Sequence, residues 1–192
     1  MHYVELKEIF DLAVKETVGH KEQIFIEYFT PMLGQPVIDE LLAHRFCYAP
    51  ASTVYHGNHE GGLFEHSLAV AYYLQKYTNK LELKWQRSDS PVRIGLLHDL
   101  CKIDAYTKKA QETGSCFEHN SSPIVKGHGD KSVIYALMYG CQLTDEEIAC
   151  IIYHMGAYET SRWDAFDNAI KTYPNVLYTH TADMAASKIM GV

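Results

Sequence analysis

The feature that most constrains this sequence is a charged cluster inside an apolar run, the segment GLLHDLCKI at residues 95–103. His98, Asp99 and Lys102 stand close together there, and the remaining side chains are nearly all apolar. Burying an unpaired charge is strongly unfavourable, so such groups either become neutral or acquire a partner. Any fold of this chain must therefore place a compensating group beside these three residues.

The start of this run carries a helix signal. Ser90 followed by Pro91 predicts a helix with Ser90 as the N-cap and Pro91 at the first helical position. We expect the helix to continue through His98 and Asp99 and to end near Lys102.

The chain has 192 residues, of which 47% are hydrophobic and 21% are charged, as in one soluble globular domain. The net charge of −7 argues against duplex nucleic acid as a partner, because duplex binding needs a basic face. The five cysteines include no CxxC pair, which predicts a reducing, cytoplasmic compartment rather than a disulfide framework. Neither a signal peptide nor a bilayer-spanning run is recognised, so no membrane partner is expected.

Apolar periodicity and turn residues predict a mostly helical chain. Besides the helix from Ser90, the predicted helices cover residues 3–18, 24–29, 37–46, 63–77, 127–139, 145–155 and about 175–190. Thr144 and Glu147 form a capping box before the sixth of these, and residues 104–119 predict a short β-hairpin. The expected fold is an all-α helical bundle with a small β-hairpin. We expect a single domain over residues 1–192, with an N-terminal helical segment (1–50) and a core (51–192).

Histidine is abundant, with eleven residues, and several histidines lie in apolar surroundings. Six polar residues fall on or at the end of predicted helices, namely His66, His98, Asp99, His128, His154 and Asp183. Helical bundles build metal sites from side chains on facing helices, so one bundle could direct all six to a single point. Four imidazoles and two carboxylates suit divalent Mn, Fe, Co, Ni or Zn. Six ligands for two ions would leave positions open for water and substrate, as in a catalytic site.

The residues alone leave simpler interpretations open. A single histidine on an apolar helix is more often a hydrogen-bonded core residue than a metal ligand, and a His-Asp dipeptide also occurs by chance. Asp183 could cap its helix or pair with Lys188. Lys102 could be an ordinary C-terminal lysine that interacts with the helix dipole.

Three segments together resemble the H…HD…D signature of the HD-domain metal-dependent phosphohydrolase superfamily. They are GGLFEHSLAVA around His66, LLHDLCKI around His98 and Asp99, and THTADMAASK around Asp183. Two further segments, KGHGDKS and IIYHMG, resemble those that carry the extra histidines of binuclear members. Such members include the HD-GYP phosphodiesterases and the HD domain of a bacterial 3′-to-5′ exoribonuclease, which is the most similar in character.

The sequence departs from the family pattern at several points. Cys101 stands where glycine is common, and YHMG has one histidine where some binuclear members have two. No GYP motif follows, so cyclic-di-GMP hydrolysis is not implied. No nucleic-acid-binding domain precedes the core, so processive exoribonuclease activity is not implied either.

The resemblance implies an HD-domain helical bundle and assigns roles to individual residues. His66, His98, Asp99 and Asp183 would form the core metal site, with Asp99 bridging to a second ion bound by His128 and His154. Asp99 and Lys102 would be catalytic, Lys102 by holding a phosphate oxygen or stabilising developing charge. His56 would contact phosphate or support a ligand, and His180 would orient Asp183, although both could equally be ordinary turn or surface residues.

The implied function is hydrolysis of a phosphoester bond of a nucleotide or short oligonucleotide by a metal-bound hydroxide. One or two divalent ions would be required, drawn from Mn, Fe, Ni, Co, Zn or Mg, and the partner would be a small phosphorylated, nucleotide-like substrate. The alternative is a non-catalytic metal- and nucleotide-binding regulatory module. A solvated surface is the favoured interpretation for five residues that could also line the entrance: His59, Lys126, Lys131, Arg162 and Trp163.

Overall fold

The longest helix, Gly62–Leu81, carries an almost continuous buried face, and the other helices pack around it. The computed structural model describes residues 1–109 and 116–192. Within these residues the α-helices are α1 (Tyr3–Ala13), α2 (Val18–Leu33), α3 (Gln35–Ala43), α4 (Gly62–Leu81), α5 (Ser90–Leu97), α6 (Gly129–Met138), α7 (Asp145–Ile152), α8 (Trp163–Thr172) and α9 (Asn175–Ala185). Short 3₁₀ turns cover Leu100–Ile103, Gly156–Tyr158 and Thr160–Arg162, and a π-helical turn, Ala186–Met190, follows α9.

The predicted fold class is confirmed, because the described sheet consists of a single strand pair. Strands β1 (Tyr106–Lys108) and β2 (Phe117–His119) run antiparallel. Residues 110–115, which also fall within the hairpin predicted over 104–119, lie outside the described residues. None of the helices within the described ranges is long and apolar enough to cross a membrane.

The N-terminal helices share the core of the bundle. Phe25 of α2 and Phe46, after α3, place their rings 5.6 and 5.9 Å from the ring of Phe64 in α4. A buried ion pair of 2.8 Å between Lys21 Nζ and Glu65 Oε1 joins α2 to the same turn of α4. We propose from these contacts that residues 1–50 fold together with the remainder as one domain.

Several predicted boundaries are wrong. The helix predicted over residues 3–18 ends at Ala13, where tighter turn hydrogen bonds replace the helical ones, and α2 then includes the whole predicted segment 24–29. Helix α8 was not predicted, although Trp163, Phe166, Ala169 and Ile170 recur at helical spacing, and its buried residues are Phe166 and Ala169. The capping box before α7 is confirmed, with both reciprocal hydrogen bonds formed between Thr144 and Glu147.

The helix predicted to carry His98 and Asp99 is shorter than expected. It ends at Leu97, because Asp99 leaves the helical conformation with φ −111° and ψ 22°, and a 3₁₀ turn follows. Asp89 rather than Ser90 occupies the N-cap position, and the Ser90 hydroxyl donates to Glu147 Oε1 at 2.8 Å.

Gly95 allows α5 to approach α4 closely. A Cβ atom built there would lie 2.4 Å from the backbone N and Cα of Ala71. The absence of a side chain therefore brings the end of α5, and with it His98, against α4.

We expect Gly95→Ala to destabilise the protein by about 1–3 kcal/mol, because the added methyl group forces α5 away from α4. Urea unfolding monitored by circular dichroism measures this change. The matched control is Gly19→Ala in α2, where an added Cβ meets no atom within 4 Å. That variant should be unchanged or more stable by up to about 1 kcal/mol. Equal effects of the two substitutions would contradict the close-packing explanation.

Candidate metal centre

The fold brings together all six polar residues that the sequence singled out. They approach one another from five helices: His66 in α4, His98 and Asp99 after α5, His128 before α6, His154 after α7, and Asp183 in α9. His66, His98 and His154 are almost completely buried, whereas the side chain of His128 is 32% exposed. The cluster is therefore closed toward the core and open on the side of His128.

One half of the cluster contains His66, His98 and Asp183. The Nε2 atoms of His66 and His98 are 3.3 Å apart. His66 Nε2 lies 3.1 Å from Asp183 Oδ1, so the Asp183 carboxylate faces the cluster. Oδ2 of Asp99 approaches the two histidine Nε2 atoms at 3.6 and 3.5 Å.

The other half contains His128 and His154. Their Nε2 atoms are 3.1 Å apart, and Asp99 Oδ1 lies 3.1 and 3.5 Å from them. The two oxygens of Asp99 thus face different histidine pairs. This is the placement that a carboxylate needs in order to bridge two ions.

Main-chain carbonyls orient three of the four imidazoles. The Nδ1 atoms of His66, His98 and His154 lie 2.8, 2.9 and 2.7 Å from the carbonyl oxygens of Val192, Gly95 and Ile151, respectively. A carbonyl oxygen can only accept a hydrogen bond, so these Nδ1 atoms carry protons. In the neutral rings the Nε2 lone pairs consequently point into the cluster.

This arrangement fits a divalent metal ion. Burial lowers the pKa of His98 to about 3, so its ring is neutral near pH 7. Its Nε2 lone pair faces the Nε2 atom of His66, and a proton or a cation is needed between the two nitrogens. Metal–nitrogen bonds of about 2.0–2.1 Å place neighbouring ligands roughly 2.9–3.4 Å apart, close to the distances observed here. A set of imidazoles and carboxylates is the donor chemistry that divalent transition metals prefer.

Comparison with known proteins gives the family. A family profile described as "HD domain" matches residues 63–176, which is more than half of the chain. The chain belongs to the HD-domain family. The predicted relationship is therefore confirmed, and HD domains bind divalent metals, in agreement with the donor set described above.

This HD domain is also similar to a dihydroneopterin 2′,3′-cyclic phosphate phosphodiesterase of Methanocaldococcus jannaschii. The two are 30% identical over 147 residues, which cover 75% of this chain and 53% of that protein. The chain thus spans about half the length of the curated relative it matches. The search of solved structures gave no match.

Asp99 and Lys102 form an ion pair at the edge of the HD-domain cluster. Lys102 Nζ lies 2.6 Å from Asp99 Oδ2, and its side chain is largely buried. Burial opposes the charged forms of both groups, but it is outweighed by their mutual attraction together with, for Asp99, the charge of His98 and hydrogen bonds from His128 and His154. The pKa of Asp99 is held well below its usual range, and the pKa of Lys102 is raised. Lys102 reaches Asp99 from the 3₁₀ turn rather than from the expected continuation of α5.

His56 and His180 lie next to the cluster in different ways. The ring of His56 is 5.1 Å from that of His66, and burial, followed by the charge of His66, lowers its pKa to about 4. His180 Nδ1 lies 2.8 Å from the carbonyl oxygen of His154. This hydrogen bond ties His180 to the main chain of His154, and the support of Asp183 by His180 stays a prediction.

The five residues that could line the entrance differ in their surroundings. Lys131 is buried and pairs with Asp104, so the expected solvated position is wrong for it. His59 pairs with Glu65 at 3.0 Å, and Arg162 pairs with Asp130 at 3.0 Å. The remaining two behave as surface residues: Lys126 is exposed, and Trp163 is half-exposed beside Phe166.

Two cavities flank the cluster. The larger, of about 350 Å³, includes Asp99 and Asp183 in its wall and is otherwise mostly apolar. The smaller, of about 210 Å³, lies beside Lys126 and Lys131. Three residues line both cavities: Lys102, Tyr106 and His128. These three residues, of which His128 belongs to the cluster, therefore form the partition between the two cavities.

Two contact residues were missed from sequence. Val192 acts through its main-chain carbonyl, which leaves no signal in residue identity. Tyr106 was seen only as part of a predicted strand, yet it lies beside Lys102 and Asp99, and burial raises its pKa.

We expect metal affinity to fall as pH is lowered, because His154 must lose a proton to bind an ion. Burial alone would lower the pKa of His154, but its hydrogen bond to Asp99 and the charge of Asp99 raise it above the ordinary value. At pH values below the raised pKa, the metal-free protein therefore keeps this proton on His154, and an incoming ion must displace it. Affinity should fall by about tenfold per pH unit there and level off above that pKa. Calorimetric titration between pH 5.5 and 7.5, roughly centred on the ordinary histidine pKa, measures this dependence. A constant affinity would contradict it.

The contact between Val192 and His66 gives a second prediction. A chain shortened to end at Met190 should lose about 10- to 100-fold in metal affinity, because the acceptor for His66 Nδ1 is removed. Val192→Ala is the matched control, since it keeps the main-chain carbonyl and should bind metal as the wild type does. Equal losses in the two variants would show that the side chain, not the carbonyl, matters. Calorimetry and a thermal melt of each variant separate binding from folding.

Proposed function

We propose that this HD domain hydrolyses a phosphodiester bond of a nucleotide-like substrate, in a reaction that depends on divalent metal. The observation that carries the proposal is the shared Asp99 carboxylate, which faces two histidine pairs at the wall of an open cavity. When bound, divalent ions supply Lewis-acid polarisation of the phosphoryl group and an activated water. His66, His98 and Asp183 would hold one ion, His128 and His154 the other, and Asp99 both.

Lys102 is placed to act on the phosphoryl group. Its ammonium lines both cavities and stays charged, because Asp99 holds its pKa above the ordinary value. A fixed positive charge at this point can bind a phosphoryl oxygen and stabilise the negative charge that develops in the transition state. Asp99, whose low pKa keeps it ionised, orients both the ions and Lys102.

A cavity lies on each side of Lys102, Tyr106 and His128. A phosphoryl group bound at these residues would have room for a substituent on both sides, which favours a diester over a monoester. The larger cavity has apolar walls that include Tyr55, Tyr158, Met155 and Met184, which suit a planar ring. The smaller cavity is lined by the exposed Lys126 and by polar side chains such as His119 and Asn120, which suit a polar or anionic group. The relative from Methanocaldococcus jannaschii is named for a cyclic phosphodiester, which supports the same reaction class.

Turnover by metal-loaded protein tests this proposal. We expect hydrolysis of bis(p-nitrophenyl) phosphate and of nucleoside 2′,3′-cyclic phosphates to exceed hydrolysis of p-nitrophenyl phosphate. Lys102→Met should lower kcat by about 10²- to 10³-fold with metal content unchanged. Lys188→Met, at an exposed lysine of the same cavity, is the control and should retain most activity.

The alternative is a regulatory module that binds metal and nucleotide without catalysis. A metal-loaded protein that binds nucleotides but hydrolyses none of these esters would overturn the enzymatic proposal in favour of that module. Preference for the monoester would overturn the choice of a diester alone.

A further inference from the structure

We infer that Cys101 is a positioning residue for His128 and that it is required for full occupancy of the second metal position. The inference rests on the metal site proposed above and adds a residue to it. Cys101 is buried, follows Asp99 by two residues, and contacts both Asp99 and His128.

The imidazole of His128 lacks the support that the other three rings have. His66, His98 and His154 each meet a main-chain carbonyl at Nδ1, whereas the contact recorded at His128 Nδ1 among the described residues is Cys101 Sγ at 3.4 Å. Sulfur is a weak acceptor, and this distance suits an N–H···S hydrogen bond. The thiol hydrogen is in turn directed at Asp99 Oδ1, 3.8 Å away.

His128 also has the least packing of the four histidines. It precedes α6 with φ −128° and ψ −90°, and its side chain is 32% exposed. A second tether joins the same two segments. The backbone N–H of Cys101 donates to Ser132 Oγ at 3.1 Å, and that hydroxyl donates to the carbonyl oxygen of His128 at 3.2 Å. The side chain and the main chain of Cys101 thus both restrain the position of His128.

The sulfur contact selects between two forms of the His128 ring. With the proton on Nδ1, donated to Cys101, the Nε2 lone pair points at the cluster and can bind an ion. With the proton on Nε2, the ring can donate to His154 Nε2 or to Asp99 Oδ1, both 3.1 Å away. The second form blocks coordination through Nε2. An acceptor at Nδ1 therefore favours the form that binds metal.

Cobalt titration of the wild type, Cys101→Ala, Cys101→Ser and Cys141→Ala tests the inference. Calorimetry gives the number and affinity of bound ions, and absorption spectra report the ligands. In Cys101→Ala the second ion should bind about 10- to 100-fold more weakly, while the first is unchanged. Cys101→Ser should restore most of the loss, because a hydroxyl oxygen also accepts from Nδ1. Cys141, a buried cysteine beyond the far end of α6, serves as the control and should have no effect.

Two outcomes would overturn the inference while the metal site stands. One is that Cys101→Ala binds both cobalt ions as tightly as the wild type does. The other is a sulfur-to-cobalt charge-transfer band in the wild type that Cys101→Ala abolishes, since the sulfur would then be a ligand. A wild-type protein that binds no cobalt would instead overturn the proposed site and this inference together. Thermal melts establish that each variant is folded.

Discussion

A single buried carboxylate, that of Asp99, joins the two halves of the candidate site. One oxygen faces His66 and His98, and the other faces His128 and His154. Lys102 approaches the first of these oxygens at 2.6 Å and provides the nearest full positive charge. A buried anion surrounded by inward-facing nitrogens is stable only with added positive charge, which protons or metal ions can supply. This arrangement supplies the compensating groups that the charged cluster within the apolar run 95–103 requires.

The fold serves the cluster mainly through helix ends. His98 and His154 lie just beyond the C-terminal ends of α5 and α7, where main-chain carbonyls without helical partners are available to accept from Nδ1. Carbonyls of Gly95 and Ile151, three residues before their histidines, are used in this way. Gly95 has two tasks, since the same residue permits the close approach of α5 to α4. Orientation of the ligands is thus built into how the helices end.

The sequence was informative where a local pattern determines the outcome. Apolar periodicity located most helices, and polar residues isolated in apolar runs identified all six members of the cluster. The helical spacing of the apolar residues in α8 was overlooked, and a turn formed by ordinary residues after Ala13 concealed the break between α1 and α2. The contacts of Val192 and Cys101 could not be predicted, because each depends on distant segments meeting. Cys101 remained unexplained in sequence for that reason, and Lys131 was misplaced because its partner Asp104 lies 27 positions earlier.

The central claim is that Asp99 bridges two ions held by the two histidine pairs. Anomalous scattering from crystals grown with manganese, combined with elemental analysis of the same protein, tests it most directly. We expect two anomalous peaks about 3.5–4 Å apart, one on each side of the Asp99 carboxylate. A single peak distant from Asp99, or no bound metal in folded protein, would contradict the claim.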